Sequence, residues 1–241
     1  LITIGGKDAK ERIVGAAVRL FSRKGYDATR VSDIAGAAKV NKALIYYYFK
    51  SKEDILDFMI DAVLRDAVSI TLDFIRSDVV RLVKEGYLEI RPDRLHFAGE
   101  DAIRHFMESC DAFYERVVDY VIEKREVIRI LMLESLKTGK HQNALFQFMK
   151  SMGSEQSNPI LRTLSETSRD FVYSDEIILF QFFFSVIPIV SFAAYFDDFK
   201  DVSSLSDDEL RRAFLRVSRI ITASLISGND ILLRNNSRPF S

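Results

Sequence analysis

The sequence predicts an all-α protein, with three helices at the amino terminus and a larger helical bundle behind them. Three observations predict it. Ten Gly and four Pro in 241 residues are about half the usual share of roughly 12%, which argues against a loop-rich or many-turned β protein. Apolar residues recur at helical spacing along most of the chain. With 48% hydrophobic and 29% charged residues, there is enough apolar surface for a packed core, and disorder is excluded as the dominant state.

The elements follow in order. From Asp8 to Lys24, Ile13, Ala16, Ala17, Leu20 and Phe21 fall at i, i+3, i+4, i+7 and i+8, one face of an amphipathic helix. Gly25 stands where a left-handed residue closes a helix, and Arg23 and Lys24 suit its negative end. Tyr26 is expected to fold its ring back onto that helix. A second helix runs from about Val31 to Ala38, with Val31, Ile34, Ala35 and Ala38 inward, Asp33 in its first turn and Thr29 as its nearest capping side chain. A third, capped by Asn41, covers Lys42 to Tyr48. Ser51 and Asp54 open a fourth, from Lys52 to about Phe74, roughly 35 Å long at 1.5 Å per residue.

Its apolar face is Ile55, Leu56, Met59, Ile60, Val63, Leu64 and Ala67. The pattern breaks between Gly86 and Gly99, around Pro92. Helical periodicity returns over Asp101–Glu123 and Glu126–Leu136, with further helices at about Ala144–Met152 and Pro159–Phe171. Ser174 caps a long apolar stretch ending near Phe199, which Pro188 is expected to kink or interrupt. Ser206, Asp207, Asp208 and Glu209 make a capping box before Leu210, Phe214, Val217 and Ile221, with Gly228 as the stop.

Charge and chemistry narrow the function. From Lys7 to Asp54 there are eleven Lys or Arg against six Asp or Glu, a net of +5, although the whole chain carries −1. A basic amino-terminal module on a mildly acidic body points to a polyanion contact at one end. Cys110 is the single cysteine, so no intrachain disulfide forms and a reducing, cytoplasmic location is expected. No secretory signal is expected either.

No nucleotide loop, nucleophile constellation or metal-ligand set is visible, so the chain is read as no enzyme and as having no cofactor and no metal. His105 and Glu108 share helical i, i+3 spacing but lack further ligands; His96, His105 and His141 are read as surface residues. In Ile177–Phe196, 16 of 20 residues are apolar. Gln181, Ser185, Pro188 and Ser191 within it, and acidic flanks at Asp175, Glu176, Asp197 and Asp198, weigh against a membrane span. The alternative reading is a helical lipid-binding or membrane-associated protein.

Two short helices joined by about three residues form the helix-turn-helix that lays its second helix in a DNA major groove. The run Gly25-Tyr26-Asp27-Ala28-Thr29-Arg30-Val31-Ser32-Asp33-Ile34-Ala35, followed by Val40-Asn41-Lys42-Ala43-Leu44-Ile45-Tyr46-Tyr47-Tyr48-Phe49-Lys50-Ser51-Lys52-Glu53, resembles the TetR family of transcriptional regulators. The family pattern is roughly G-Y-x-x-T-(T/S)-V-x-D-I-A-x-x-A-G-V-S-x-G-x-L-Y-x-(H/Y)-F-x-(S/N)-K-E. The resemblance covers about the first 55 residues. The turn Gly is replaced by Lys39, which would have to take a left-handed conformation or repack the turn. The usual Ser is Asn41, and the small Gly of the recognition helix is Ala43.

The resemblance implies a DNA-binding domain over residues 1–51 and an effector-binding and dimerisation domain over 52–241. Asn41, Lys42 and Ala43 would enter the groove, Lys42 toward guanine acceptors or a phosphate and Asn41 toward an adenine edge or a phosphate. Tyr46 and Tyr47 would bring phenol hydroxyls to the backbone, Arg30 and Ser32 would hold a neighbouring phosphate, and Lys52 would reach the same strand. Tyr48 and Phe49 are expected to pack inside the module.

The partners implied are double-stranded DNA at a palindromic operator, a small-molecule effector and a second copy of the chain. The homodimer would form through the last two helices, about 174–199 and 206–227, because their apolar faces would leave a large exposed patch on a monomer. Candidate effector-lining residues are Phe106, Cys110, Phe113, Tyr114, Met132, Phe146, Met149 and Phe182. With 19 Phe in the chain, an apolar or aromatic effector is expected, acting on a repressor.

Overall fold

The computed structural model describes residues 3–90, 95–147, 158–167, 179 and 181–227, and these are helical apart from turns and one short hairpin. In chain order come α1 (Thr3–Lys24), α2 (Val31–Ala38), α3 (Lys42–Tyr48) and α4 (Lys52–Phe74). A π-helical turn, Ile75–Val79, leads into α5 (Val80–Lys84), then β1 (Leu88–Ile90), β2 (Leu95–Phe97), α6 (Glu100–Glu123) and α7 (Arg125–Leu136). After them come α8 (Pro159–Thr167), a π-helical segment Gln181–Val186, α9 (Ile187–Ala194), α10 (Phe196–Val202) and α11 (Asp207–Ser227). The chain divides into two compact units, Leu1–Arg65 with Lys124–Ala144, and Asp66–Glu123 with Leu145–Ser241.

In the first unit, α1 begins at Thr3, ahead of the expected Asp8, and buries Ile13, Ala16, Ala17 and Phe21. Gly25 takes φ 84° and donates its N–H to the Phe21 carbonyl at 3.0 Å. Tyr26 does fold back, its ring edge-on to Phe21 at 5.1 Å between centres. The cap of α2 differs from expectation. Thr29 is buried and spends its hydroxyl on the Gly25 carbonyl at 2.8 Å, so the cap position falls to Arg30, whose N–H donates to the Asp33 carboxylate at 3.0 Å.

Helix α7 belongs to this unit although some fifty residues separate it in sequence from α4. It buries Val127, Ile128, Ile130 and Leu131 and packs on α1, where Ser22 donates to Glu126 at 3.2 Å. The segment after it is tied down by charge. Lys137 reaches Asp27 at 3.2 Å and Glu134 at 2.6 Å, and Lys140 reaches Asp57 at 2.6 Å. His141 is half-buried and 3.2 Å from Asp57, not the surface residue expected.

The second unit is centred on Val79, Leu82, Leu88, Ile90, Phe106 and Cys110, with Phe74, Val83, Phe97 and Leu164 packed around them. The break between Gly86 and Gly99 is a hairpin, pairing Leu88 with Phe97, Glu89 with His96 and Ile90 with Leu95. Leu88 and Ile90 point inward and Glu89 outward; three residues are too few for that alternation to stand out in a sequence.

The long helix expected to end near Phe199 changes its winding just before Pro188, without a break, and breaks at Tyr195. Pro188 is the second residue of α9, where its missing N–H and fixed φ are tolerated, and the wider π-helical turn before it absorbs the lost bond. The break at Tyr195 turns α10 away, so that Phe182–Ala194 and Phe196–Val202 differ in direction by 62°. Helix α11 carries the capping box, Ser206 N–H to Glu209 at 2.8 Å and Glu209 N–H to the Ser206 hydroxyl at 3.4 Å. Arg211 clasps Asp119 with two nitrogens, and Phe192 stacks on Phe214 at 4.1 Å.

Among the described residues no single helix is long and apolar enough to cross a membrane. Residues 144–147 are helical. The rest of the helix expected to Met152, the end of the one expected to Phe171, Ser174 and Gly228 lie outside the described residues.

Candidate nucleic-acid interface

Helix α3 is short, so each of its residues has one clear environment. Ile45 and the following Phe49 are buried at 1% and 2% exposure and hold the helix to its module. Lys42, Ala43, Tyr46 and Tyr47 are exposed. Lys42 and Tyr46, like Ala43 and Tyr47, are four residues apart and so stand one above the other on the outward face. Tyr46 is 55% and Tyr47 76% exposed, a large apolar area to leave in water unless something docks on it. Tyr48 is half-buried and meets the edge of Tyr47, their rings 4.9 Å apart, so the three consecutive tyrosines divide between the two faces as expected.

Asn41 caps α3, its side-chain oxygen accepting the Leu44 N–H at 2.8 Å. With the oxygen so used, its exposed amide nitrogen is a donor suited to a phosphate oxygen. A bidentate grip on adenine would need the oxygen as well. Lys39 occupies the left-handed region at φ 54° and ψ 47°, with its N–H on the Gly36 carbonyl at 3.2 Å. Of the two alternatives for that turn, the strained backbone is the one taken. Arg30 and Ser32, exposed at the start of α2, are set by the Arg30–Asp33 bond.

Lys52 sits differently from the rest. It is half-buried, with its ammonium 2.7 Å from the Tyr26 carbonyl, 3.0 Å from the Thr29 carbonyl and 4.1 Å from the centre of the Tyr26 ring. Two of its three N–H groups are therefore used inside the module. Burial first, then the negative charges of Glu53, Glu134, Asp27 and Asp57, push the Tyr26 phenol up to about 12.

Some contributors to this surface were not nominated from the sequence. Lys39 and Lys50 are exposed cations beside α3, and Lys10 places its ammonium 4.1 Å over the Phe58 ring and 5.3 Å over Phe49. The ties from Lys137 and Lys140 come from more than eighty residues away, and no local pattern carries such a signal.

The residues nominated for an effector site lie apart. Phe106 and Cys110 share the core of the second unit, and burial, then Asp111 and Asp78, push the Cys110 thiol up to about 12. Phe113 stacks on Phe74 at 4.6 Å and meets Tyr114 at 5.6 Å. Tyr114 shares a hydrogen bond with Thr222, and burial raises its phenol. Phe146 and Phe182 meet edge to face at 5.5 Å. Met132 belongs to the first unit, and Met149 lies outside the described residues.

Two open grooves in the second unit, of about 630 and 340 Å³, are lined by other residues, the larger by Arg76, Val80, Val83, Lys84 and α8, the smaller around Asp78, His105 and Glu108. Among the described residues no group of three or more His, Cys, Asp or Glu side chains is arranged to hold a metal ion.

Residues 13–58 match the model of the bacterial regulatory proteins of the tetR family. Over 48 residues the chain is 46% identical to IcaR, the HTH-type negative transcriptional regulator of the biofilm operon icaADBC in Staphylococcus aureus, a match covering 20% of this chain and 26% of IcaR. With IcaR of Staphylococcus epidermidis the identity is 37% over 65 residues, 24% of this chain and 35% of the relative. The chain thus matches only about a quarter to a third of the length of these curated relatives.

Among solved structures, the fatty acid degradation regulator FadR of Bacillus halodurans is similar at a TM-score of 0.52 and 19% identity, over 91% of this chain and 95% of FadR. A Clostridium perfringens protein proposed as a fatty acid metabolism regulator is similar at 0.50 and 20% identity, over 91% and 99%. At such identities the likeness shows the fold, a helix-turn-helix module followed by a helical bundle.

Proposed function

The chain carries the amino-terminal helix-turn-helix domain of the TetR family of transcriptional regulators and belongs to that family, and on this premise we propose that it is a repressor that binds a palindromic operator as a homodimer and is released by a small effector. The observation that carries the DNA reading is the division of α3, with Ile45 and Phe49 buried while Lys42, Ala43, Tyr46 and Tyr47 stand outward. Lys42 reads a base edge or grips a phosphate, Asn41 gives its amide N–H to a phosphate, and Ala43 permits close approach. Tyr46 and Tyr47 bond the backbone and touch thymine methyls. Arg30 and Ser32 hold a phosphate at the start of α2, and Lys52 adds its charge at the head of α4.

The second copy docks on the carboxy-terminal helices. Val217, Ile220 and Ile221 are 54%, 66% and 39% exposed on α11, and Phe183, Phe184 and Phe199 are each more than half exposed. An isolated soluble chain rarely leaves so much apolar surface in water, and a two-fold axis through it would set two reading modules on the two halves of a palindrome.

Residues 1–51 then act as the DNA-binding domain and 52–241 as the effector-binding and dimerisation domain, in the cytoplasm. Helix α4, unbroken from Lys52 to Phe74, carries the signal. An apolar or aromatic effector in the body shifts it, changes the spacing of the paired recognition helices and prevents simultaneous engagement of both half-sites. Footprinting of the purified protein on the DNA upstream of its own gene tests the reading, followed by a screen for compounds that release it. Equal spacing of the recognition helices in the DNA-bound and liganded forms would exclude the mechanism of release.

A further inference from the structure

We propose that the groove between α5 and α8 binds an amphipathic organic anion, with its apolar body along Val80 and Val83 and its acid group on Arg76 or Lys84. The groove holds about 630 Å³, within the range of small-molecule sites. One wall presents Arg76, Val80, Val83 and Lys84, an apolar strip between two cations. Eight residues of helix separate those cations by about 12 Å at 1.5 Å per residue.

The two cations are the telling feature. Arg81, on the same stretch of helix but outside this groove, is engaged by Asp78 at 3.9 Å and Glu85 at 3.4 Å. Arg76 and Lys84 have no carboxylate within ion-pair distance among the described residues. Glu166, on α8, also lines the groove and forms no ion pair with either.

The Thr163 and Thr167 hydroxyls donate to the Pro159 and Thr163 carbonyls at 2.8 and 2.6 Å, so toward the groove they present acceptor lone pairs. The wall of α8 therefore repels an acid group, and the wall of α5 attracts one. A ligand with a single acid at one end and a hydrocarbon body satisfies both walls. A neutral or cationic molecule of the same shape leaves Arg76 and Lys84 unanswered.

This proposal rests on the functional reading above only in making the anion the effector; the binding itself is measured without DNA. The full chain is titrated calorimetrically with decanoate and with decyl phosphate, below micelle formation, and in parallel with decanol and decyltrimethylammonium. Expected is saturable binding of at least one acid, weaker for the alcohol by about tenfold or more, as the loss of a charged hydrogen bond implies, and absent for the cation. The exposed pair Arg76→Gln/Lys84→Gln should melt like the parent and lose about tenfold or more of the acid's affinity, while Arg81→Gln keeps it. Equal binding of acid and alcohol, no binding of either acid, or an unchanged affinity in the double variant would overturn the proposal. Operator release is scored separately: binding without release keeps the groove and removes it as the effector site.

Discussion

The ammonium of Lys52 lies 2.7 Å from the carbonyl oxygen of Tyr26 and 4.1 Å above the centre of its ring. One side chain thus closes the turn between α1 and α2 twice, by a charged hydrogen bond and by a cation–π contact, and a second carbonyl, that of Thr29, completes the site. Lys52→Met keeps the stem and removes the charge. It should cost about 1–3 kcal/mol of stability, the range for a charged hydrogen bond, read by urea denaturation. A variant of unchanged stability whose DNA binding has lost about one phosphate's worth of salt dependence would show the ammonium spent on DNA instead.

The backbone at Lys39 is in the left-handed region, φ 54°, where a side chain costs about 1–2 kcal/mol. Lys39→Gly removes that cost but loosens the unfolded chain, so it should be neutral or stabilising by up to about 1 kcal/mol. Lys39→Val puts a β-branched residue where it fits worst and should be clearly less stable than either. Thermal melts of the three proteins check the order.

Alkaline pH should loosen the first unit. The Tyr26 phenol ordinarily loses its proton near 10 and is pushed up to about 12 by burial and by Glu53, Glu134, Asp27 and Asp57. The folded form therefore holds the proton more tightly than the unfolded chain. The stabilisation is complete below 10 and is lost as pH rises from 10 through about 12. Tyr26→Phe should flatten that limb of the stability curve; an equally steep limb would clear Tyr26 of the effect.

Much of this was legible because it is local. The limits of α2, α3 and α4 follow from Asn41, Ser51 and the apolar spacing, and a cap acts within four residues of itself. The same locality explains the error at Thr29. Its hydroxyl suits a cap, but Thr29 is itself buried and Gly25 in its left-handed turn leaves a carbonyl within its reach, and satisfying the buried hydroxyl there outweighs the cap. The ties from Lys137 to Asp27 and from Lys140 to Asp57 join distant segments, and periodicity has no means of pairing them. Pro188 suggests a kink or interruption, yet the helix runs through it with only a change from π- to α-helical winding; the break at Tyr195 has no comparable marker. Aromatic and apolar character, which marks the effector candidates in the sequence, is shared by a core such as Phe106 and Cys110 and by a cavity wall.

The apolar face of α11 yields a prediction for assembly. Ile220→Glu places a charge on a residue 66% exposed in the single chain, where it should barely alter folding. Across a buried two-fold interface, an unpaired charge costs several kcal/mol. Sedimentation should therefore show a monomer where the parent protein is a dimer. A variant that remains dimeric would place the interface elsewhere.

The central claim is that α3 enters a duplex, in two copies, with Lys42 among its reading residues. Fluorescence anisotropy on the footprinted site, repeated over a range of salt for the parent and for Lys42→Ala, tests it most directly. The account predicts two protected half-sites about 34–36 Å apart or a multiple of that, and affinity falling steeply with salt. Lys42→Ala should lose about 1–3 kcal/mol. Binding indifferent to salt and unchanged by the substitution would contradict it.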